Sequence, residues 1–167
     1  DYLIRSSYDF LGKVNPKQTM TSNRKRLEKA LILLHKGERL SPDQVRTHFW
    51  IGLTYYHALD YQQATEAYIK LDRLQKDFTS TCLNIGISYL KQAGLLGNPG
   101  YLPKEVELFP SLAKKCIEKA IPWFERCVYN DPTLPDHYFL LGHCYFWLEK
   151  PNLAEEYVTK SLELAQN

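Results

Sequence analysis

The 167-residue chain has few of the features that mark membrane or extracellular proteins. Its longest apolar run, residues 30–34, is far shorter than the roughly 20 residues that cross a bilayer, so we expect no membrane insertion within this chain. The four cysteines form no Cys-x-x-Cys pair, and each falls in a predicted helix, as small buried hydrophobic residues do. This usage favours a reducing, cytoplasmic compartment over an oxidising one without identifying it.

The chain has a small net charge and no recognisable catalytic motif. The formal net charge is +2, which is a small excess for a nucleic-acid-binding chain, so we expect no nucleic-acid partner. The basic run 24–26, with Lys29 and Lys36 further along, is interpreted as a solvated helix face. The sequence contains no glycine-rich phosphate loop and no nucleophile with an evident base. We therefore expect no enzymatic activity and no cofactor.

The histidines and cysteines do not form a metal-ligand pattern. His143 and Cys144 are adjacent, so a helix directs their side chains to different faces and they do not easily share a zinc ion. His48 and His57 share one predicted helix, but their spacing does not place them on one face. We predict no metal site, and we interpret His143 as a hydrogen-bonding residue rather than as a catalytic base.

What the sequence does contain is an internal repeat. Residues 51–71 reappear in changed form as 141–162. Equivalent positions fall at two spacings, which are 34 residues for Gly52 to Gly86 and Ala120 to Ala154, and 56 residues for Gly86 to Gly142 and Ala64 to Ala120. A single 34-residue period therefore fits the whole pattern if one 22-residue insertion lies between Tyr89 and Ala120.

A period of this length, with Gly and Tyr in a first helix and Ala and an aromatic residue in a second, resembles the tetratricopeptide repeat (TPR). The matching residues are Ile51, Gly52, Tyr55, Ala64 and Tyr68 in the first repeat, Ile85, Gly86, Tyr89, Ala120, Phe124 and Pro132 in the second, and Leu141, Gly142, Tyr145 and Ala154 in the third. Val158 stands where the family usually has an aromatic residue. Gly and Ala allow two helices to approach closely, while the aromatic ring fills the space beside them.

The resemblance implies an all-α fold, a TPR-like solenoid in which antiparallel helix pairs form an α-α superhelix. We assign residues 1–41 to an N-terminal segment with a partial repeat. Residues 42–167 are assigned to about three TPR-like repeats, with the insertion at about 91–119, and the whole chain to one compact domain. Because the chain begins at Asp1 rather than Met, we expect a trimmed or processed N-terminus.

Capping and breaking residues predict where the helices lie. Asn23 and Gly37 predict a helix over 24–36 that follows a loop, and Ser41-Pro42 predicts the start of a helix ending near residue 59. Further helices are predicted over 61–74, over 78–93 with Gly94 as its end, from Pro135 and from Pro151.

The inserted segment is predicted to lengthen one helix. The second helix of the second repeat begins near Pro110, protrudes beyond its neighbours, and bends around 118–122 because Pro122 lies inside it. The preceding loop is rich in apolar residues. It either packs on the protruding helix or forms a wall beside the groove described next.

The resemblance also implies a binding site, because ligands of this family lie in a concave groove lined by the first helix of each repeat. Counting from the glycines places the following residues there: Arg46, Phe49, Leu53 and Tyr56; Ser80, Leu83, Asn84, Ile87 and Leu90; Asp136, Phe139, His143 and Phe146. This set is mostly apolar and aromatic, which favours a binding surface. The surface is either open or covered by the chain itself or by a second copy.

The partner is expected to be a protein or peptide. The family's clamp for a peptide carboxylate uses Lys, Asn and Arg; Asn84 matches one position, but Phe49, Leu53, Asp136 and Leu140 occupy the others without positive charge. An extended apolar peptide or an amphipathic helix fits better. We predict a protein-interaction module, such as an adaptor, chaperone or assembly factor. The alternatives are a self-assembling structural protein that forms homo-oligomers and a solenoid that binds a small molecule or lipid.

Overall fold

The computed structural model describes residues 16–76, 78–96 and 110–166, and within these the chain is entirely helical, with no strand. The predictions made for residues 1–15 and for the apolar loop at 97–109 lie outside the described residues. The helices are α1 (Pro16–Leu40), α2 (Val45–His57), α3 (Tyr61–Leu74), α4 (Thr79–Gln92), α5 (Pro110–Asn130), α6 (Pro135–Trp147) and α7 (Pro151–Ala165). The predicted all-α fold is confirmed.

The helices pack in the order in which they follow one another along the chain. The most extensive contacts are within the pairs α2–α3, α4–α5 and α6–α7, and the remaining large contacts join each pair to the next and α1 to α2. A stack in which each element contacts mainly its sequence neighbours is the arrangement of a solenoid. It leaves α1 at one end of the described stack and α7 at the other.

Glycines set the close approach within each pair. A β-carbon placed on Gly86 of α4 would lie 2.5 Å from Cε1 of Phe124 in α5, and one on Gly52 of α2 would lie 2.6 Å from Cε1 of Tyr68 in α3. Both rings are buried. Each aromatic ring therefore occupies the space that a side chain on the facing glycine would need, as the repeat pattern predicts.

In the third pair Val158 takes the position that an aromatic residue has in the other two pairs. A β-carbon on Gly142 of α6 would meet the Val158 side chain at 2.7 Å, and it would also lie 3.2 Å from the Ala154 carbonyl oxygen and from the Val158 amide nitrogen. The α7 backbone itself lies against Gly142. The small Val158 side chain occupies the contact that an aromatic ring occupies in the other two pairs.

Three predicted helix boundaries near the N-terminus are wrong. Helix α1 begins at Pro16 rather than after Asn23, and it continues through Gly37 to Leu40. The Ser41 N–H donates to the Gly37 carbonyl at 2.9 Å, so the hydrogen-bond ladder runs past the glycine. Residues 17–23 contain neither Gly nor Pro. Each of the others costs at most a few tenths of a kcal/mol relative to alanine in a helix, so the segment can be helical.

The start of α2 is the other incorrect boundary. Residues 41–44 form a turn, and the helix begins at Val45 rather than at Pro42. The His48 ring donates from Nε2 to the Pro42 carbonyl at 2.6 Å. This hydrogen bond from His48, in the first turn of α2, holds the turn against the helix. The helix also ends at His57, two residues before Leu59, which adopts a left-handed φ of 64°.

Most of the other predicted boundaries are confirmed. Helix α3 starts after Asp60, whose carboxylate accepts from the Gln63 N–H at 3.1 Å. Helix α4 ends just before Gly94, which has a φ of 75°, and α7 begins at Pro151. Helix α5 starts at Pro110 and is 21 residues long, against 14 for α3 and 15 for α7. The bend predicted at Pro122 remains a prediction.

Candidate functional site

An aromatic row lies on α6, at three of the predicted groove positions and beside them. Phe139 and His143 stack with their rings 6.3 Å apart and 15° from parallel, and Trp147 meets the same imidazole edge-on at 6.3 Å. Phe146 lies beside this row, in T-shaped contact with Trp147. Phe139 is 53% exposed and Phe146 is 66% exposed. This helix therefore presents a wide aromatic surface to solvent.

His143 is held in one tautomer by its neighbour. The Trp147 indole N–H donates to His143 Nε2 at 3.1 Å, so the proton of the neutral ring resides on Nδ1. Nδ1 is buried without a hydrogen-bond partner in the described part of the chain. Because burial lowers the pKa of His143, the ring is neutral at pH 7. Nε2 accepts the hydrogen bond from Trp147 and Nδ1 is buried. This arrangement fits the predicted hydrogen-bonding role.

Acidification is expected to destabilise the protein through this histidine. The pKa of His143 in the folded protein lies below its usual value of 6.5. Between the folded-state pKa and the unfolded-state pKa, the unfolded chain therefore binds the proton more strongly than the folded protein does. The stabilisation is full above pH 6.5 and is lost as the pH falls below it. We expect the melting temperature of wild type to drop more between about pH 7.5 and pH 5.5 than that of His143→Gln, whose amide still accepts from Trp147. An equal drop in both proteins would contradict the assignment.

The predicted groove residues of α4 divide into two groups. Leu83, Asn84 and Ile87 are half-buried and Ser80 is exposed, so all four reach the surface. Leu90 does not, since it is 0% exposed and its assignment to the groove is wrong. It lies in the core cluster that contains Ala113. The positions equivalent to Leu90 are half-buried Tyr56 on α2 and exposed Phe146 on α6.

On α2 the predicted residues lie around an apolar recess. Arg46 is exposed and Phe49 is half-buried, with its ring 6.5 Å from that of Tyr68. Leu53 and Tyr56 are half-buried further along the helix. The recess has a volume of about 290 Å³ and is lined by Val45, Arg46, Phe49, Trp50, Leu71, Gln75 and Phe78.

Two exposed residues of this recess were absent from the sequence-based set. Trp50 is 48% exposed on α2, and Phe78 is 51% exposed directly before α4. Trp50 lies one position beyond a predicted groove residue, and Phe78 precedes its helix, where an apolar residue is unusual. These two signals were present in the sequence. The structure therefore places aromatic surface on α2 and α6, and it shows no extensive contact between these two helices.

Two of the cysteines are buried and unreactive. Cys127 and Cys144 are buried, and burial raises the pKa of each thiol to about 12. Such thiols stay protonated and are poor nucleophiles. No group of three or more His, Cys, Asp or Glu side chains comes together as a metal site within residues 16–76, 78–96 and 110–166. No helix in the same ranges is long and apolar enough to cross a membrane.

Comparison with known proteins identifies the last helix pair. Residues 136–167 match the family model of the tetratricopeptide repeat, so the match spans nearly all of α6 and all of α7. No curated protein shows significant similarity to the sequence.

Solved structures with the same arrangement extend the similarity to most of the chain. MamA from MSR-1 superposes with a TM-score of 0.63 at 15% identity, covering 84% of this chain and 68% of its own. MamA from AMB-1 gives 0.62 at 17% identity, covering 82% and 63%. A thermophilic TPR protein of Thermus thermophilus gives 0.58 at 15% identity, covering 89% and 71%. At such low identities the similarity establishes the fold, and the protein is built of tetratricopeptide-like repeats.

Proposed function

We propose that the protein acts by binding, as an adaptor or assembly factor that holds an apolar segment of a partner protein against the aromatic surface of α6. Tetratricopeptide-like repeats are a scaffold for protein–protein interaction, because a stack of helices offers an extended surface rather than a cleft. The observation that carries the proposal is the exposure of Phe139 and Phe146 on one short helix. Single exposed apolar residues are common, but neighbouring large aromatic side chains mark an interaction site.

The chemistry of this surface favours an apolar partner. The rings of Phe139, His143 and Trp147 form a continuous row, and the imidazole is kept neutral by burial, which lowers its pKa. The row carries no charge that would orient a carboxylate, and exposed Asp136 at the start of α6 would repel one. A partner that inserts leucine, methionine or aromatic side chains would desolvate the row and gain stabilisation from the buried area.

Loss of the two phenylalanines is expected to abolish binding without unfolding the protein. Both side chains are more exposed than buried, and aromatic hot-spot residues at interfaces are worth about 2–4 kcal/mol each. We expect Phe139→Ser/Phe146→Ser to retain less than about a tenth of the partner that wild type captures from native lysate. Circular dichroism should show that the helical content is unchanged.

A matched control removes an equally large aromatic residue elsewhere. Tyr129 on α5 is 87% exposed, so Tyr129→Ser removes an exposed ring without changing the α6 surface. We expect it to capture the same partners as wild type. If the phenylalanine variant also keeps every partner, the aromatic surface of α6 is not the binding site. The Trp50–Phe78 recess would then be tested next by Trp50→Ser.

A further inference from the structure

The Trp50–Phe78 recess lies where the beginnings of two helices meet the end of a third. Its lining comes from the first two turns of α2, from the end of α3 and from the residue that directly precedes α4. Leu71 of α3 is 3% exposed, whereas Trp50 is 48% exposed and Phe78 is 51% exposed. The recess therefore has a buried apolar base and an aromatic rim that solvent reaches.

Phe78 occupies a position where another type of residue would stabilise the helix better. It is the N-cap residue of α4, and its side chain makes no capping hydrogen bond. Ser, Thr, Asp and Asn are preferred at this position because their side-chain oxygen atoms accept from the first amides of the helix. The ring is not buried either. Together with Trp50 it forms exposed apolar surface beside a recess, as is found at interaction sites.

The charge around the recess is positive. Arg46 is the only charged residue among the described residues that line it. Its exposed guanidinium makes no ion pair and no side-chain hydrogen bond within residues 16–76, 78–96 and 110–166. Asp72, which follows Leu71 in the sequence, is engaged elsewhere, because its two carboxylate oxygens accept from Arg126 of α5 at 3.0 and 3.1 Å.

The helix ends at the rim add to this positive charge. Neither α2 nor α4 has an acidic residue in its first turn, so no carboxylate of these turns offsets the positive N-terminal ends of the two helix dipoles. The N-cap residue of α2, Gln44, makes no side-chain capping hydrogen bond. A carboxylate that approached the rim would therefore meet an unpaired guanidinium in a positive field, and charge complementarity favours an acidic group on the partner.

The size of the recess favours a single side chain over a cofactor. Its volume is about 290 Å³, at the lower limit of the range of about 300–1,000 Å³ that holds drug-sized ligands. The rings of Phe49 and Trp50 meet edge-on, with their centroids 5.6 Å apart. They offer both a ring face and a ring edge, the two surfaces on which another aromatic ring packs. An aromatic side chain is therefore the group that fits the recess best.

The distance between the apolar and the charged parts of the site suits a short peptide. Arg46 precedes Phe49 by three residues and Trp50 by four, so all three lie on neighbouring parts of one helix surface, with β-carbons about 5–6 Å apart. Two consecutive residues of an extended peptide span about 7 Å. A peptide can thus insert one side chain and bring the carboxylate of its next residue to Arg46.

We propose that the Trp50–Phe78 recess is a second docking site, which accepts an aromatic side chain of a partner peptide while a neighbouring Asp or Glu of that peptide pairs with Arg46. The site does not depend on the aromatic surface of α6, because α2 and α6 make no extensive contact. Arg46 makes the site selective. A peptide that covered the guanidinium without supplying a carboxylate would leave a desolvated and unpaired charge.

Two short peptides that differ in one functional group test the proposal. The blocked tetrapeptides acetyl-Gly-Phe-Asp-Gly-amide and acetyl-Gly-Phe-Asn-Gly-amide carry the same aromatic side chain, and the second replaces the carboxylate with a neutral amide of similar shape. Binding to the full chain is followed by the backbone amide shifts in heteronuclear NMR spectra. We expect the Asp peptide to cause saturable shifts at the beginnings of α2 and α4, with a dissociation constant of about 1 mM. The Asn peptide should bind at least about fivefold more weakly.

Three variants at exposed positions assign the contacts. In Arg46→Gln the charge is lost, so we expect the two peptides to bind equally, both as weakly as the Asn peptide binds wild type. In Trp50→Ser the aromatic rim is lost, and both peptides should bind about tenfold more weakly. The control is Arg73→Gln, which removes an exposed charge from α3 that does not line the recess. It should bind the Asp peptide as wild type does, and circular dichroism should show that all three variants keep their helical content.

The proposal is overturned if neither peptide causes saturable shifts at α2 and α4, or if the two peptides bind wild type equally. It is also overturned if the shifts map to α6 alone. The variant Phe139→Ser/Phe146→Ser distinguishes this site from the α6 surface, since it should bind the Asp peptide unchanged even where it loses the partners captured from lysate. Loss of peptide binding in that variant would contradict a separate site on α2.

Discussion

Replacing Phe124 with alanine is expected to lower the free energy of unfolding by about 3–5 kcal/mol, the range observed for large-to-small changes at buried aromatic sites. Phe124 is 0% exposed and lies in the core cluster that joins α4, α5 and α6 through Leu90, Ile117 and Leu141. Its ring also lies against Gly86, where no side chain exists to fill the space that a smaller residue would leave. The cavity would therefore open at the centre of the stack.

Urea unfolding followed by circular dichroism measures this loss as a shift of the midpoint at constant slope. Tyr129→Ala is the control, because Tyr129 is on the same helix and is 87% exposed. We expect its effect to stay within about 0.5 kcal/mol. A loss below about 1.5 kcal/mol for Phe124→Ala would mean that the repeats tolerate a void at this contact and that the ring is not the main element of the core.

The second large effect is expected from adding a single carbon atom. A β-carbon on Gly86 would lie 2.5, 2.7 and 2.9 Å from three carbons of the Phe124 ring, and this ring is 0% exposed. Overpacking of this kind destabilises by about 1–3 kcal/mol. That exceeds the gain of about 1 kcal/mol that alanine brings over glycine in a helix. We therefore expect Gly86→Ala to lower the midpoint of urea unfolding.

Gly37 provides a control of opposite sign. It lies inside α1, and the nearest atom to an added β-carbon would be the Thr47 methyl at 3.9 Å, an ordinary contact. Gly37→Ala should thus raise the stability by up to about 1 kcal/mol, since only the helix propensity changes. If both substitutions shift the urea midpoint in the same direction, the contact between residue 86 and the Phe124 ring does not determine the change in stability.

The repeat pattern predicted the helix pairs because it records contacts between residues that are far apart in sequence. Gly52 and Tyr68 recur as Gly86 and Phe124, and in both pairs the glycine faces the ring. The helix-end residue Gly94 and the helix-start residue Pro151 were equally informative, since their effects act within one helical turn. Helix pairs that follow a fixed repeat period, and many helix ends that depend on adjacent residues, can be predicted from the sequence.

The error at Leu90 concerns a residue whose exposure depends on distant parts of the chain. The positions four residues after the three glycines are Tyr56, Leu90 and Phe146, and the pattern treats them alike. In the structure Tyr56 is half-buried, Leu90 is 0% exposed and Phe146 is 66% exposed. Leu90 belongs to the core cluster that also contains Ala113 of α5, and the sequence around Leu90 carries no signal of that.

The sequence by itself determined the fold, through a 34-residue period and the pairing of glycine with an aromatic ring. Only the tertiary structure decided which surfaces remain open. Solvent exposure depends on what packs against a residue, so only the structure separates exposed Phe139 and Phe146 from buried Leu90, although the pattern had assigned all three to the groove.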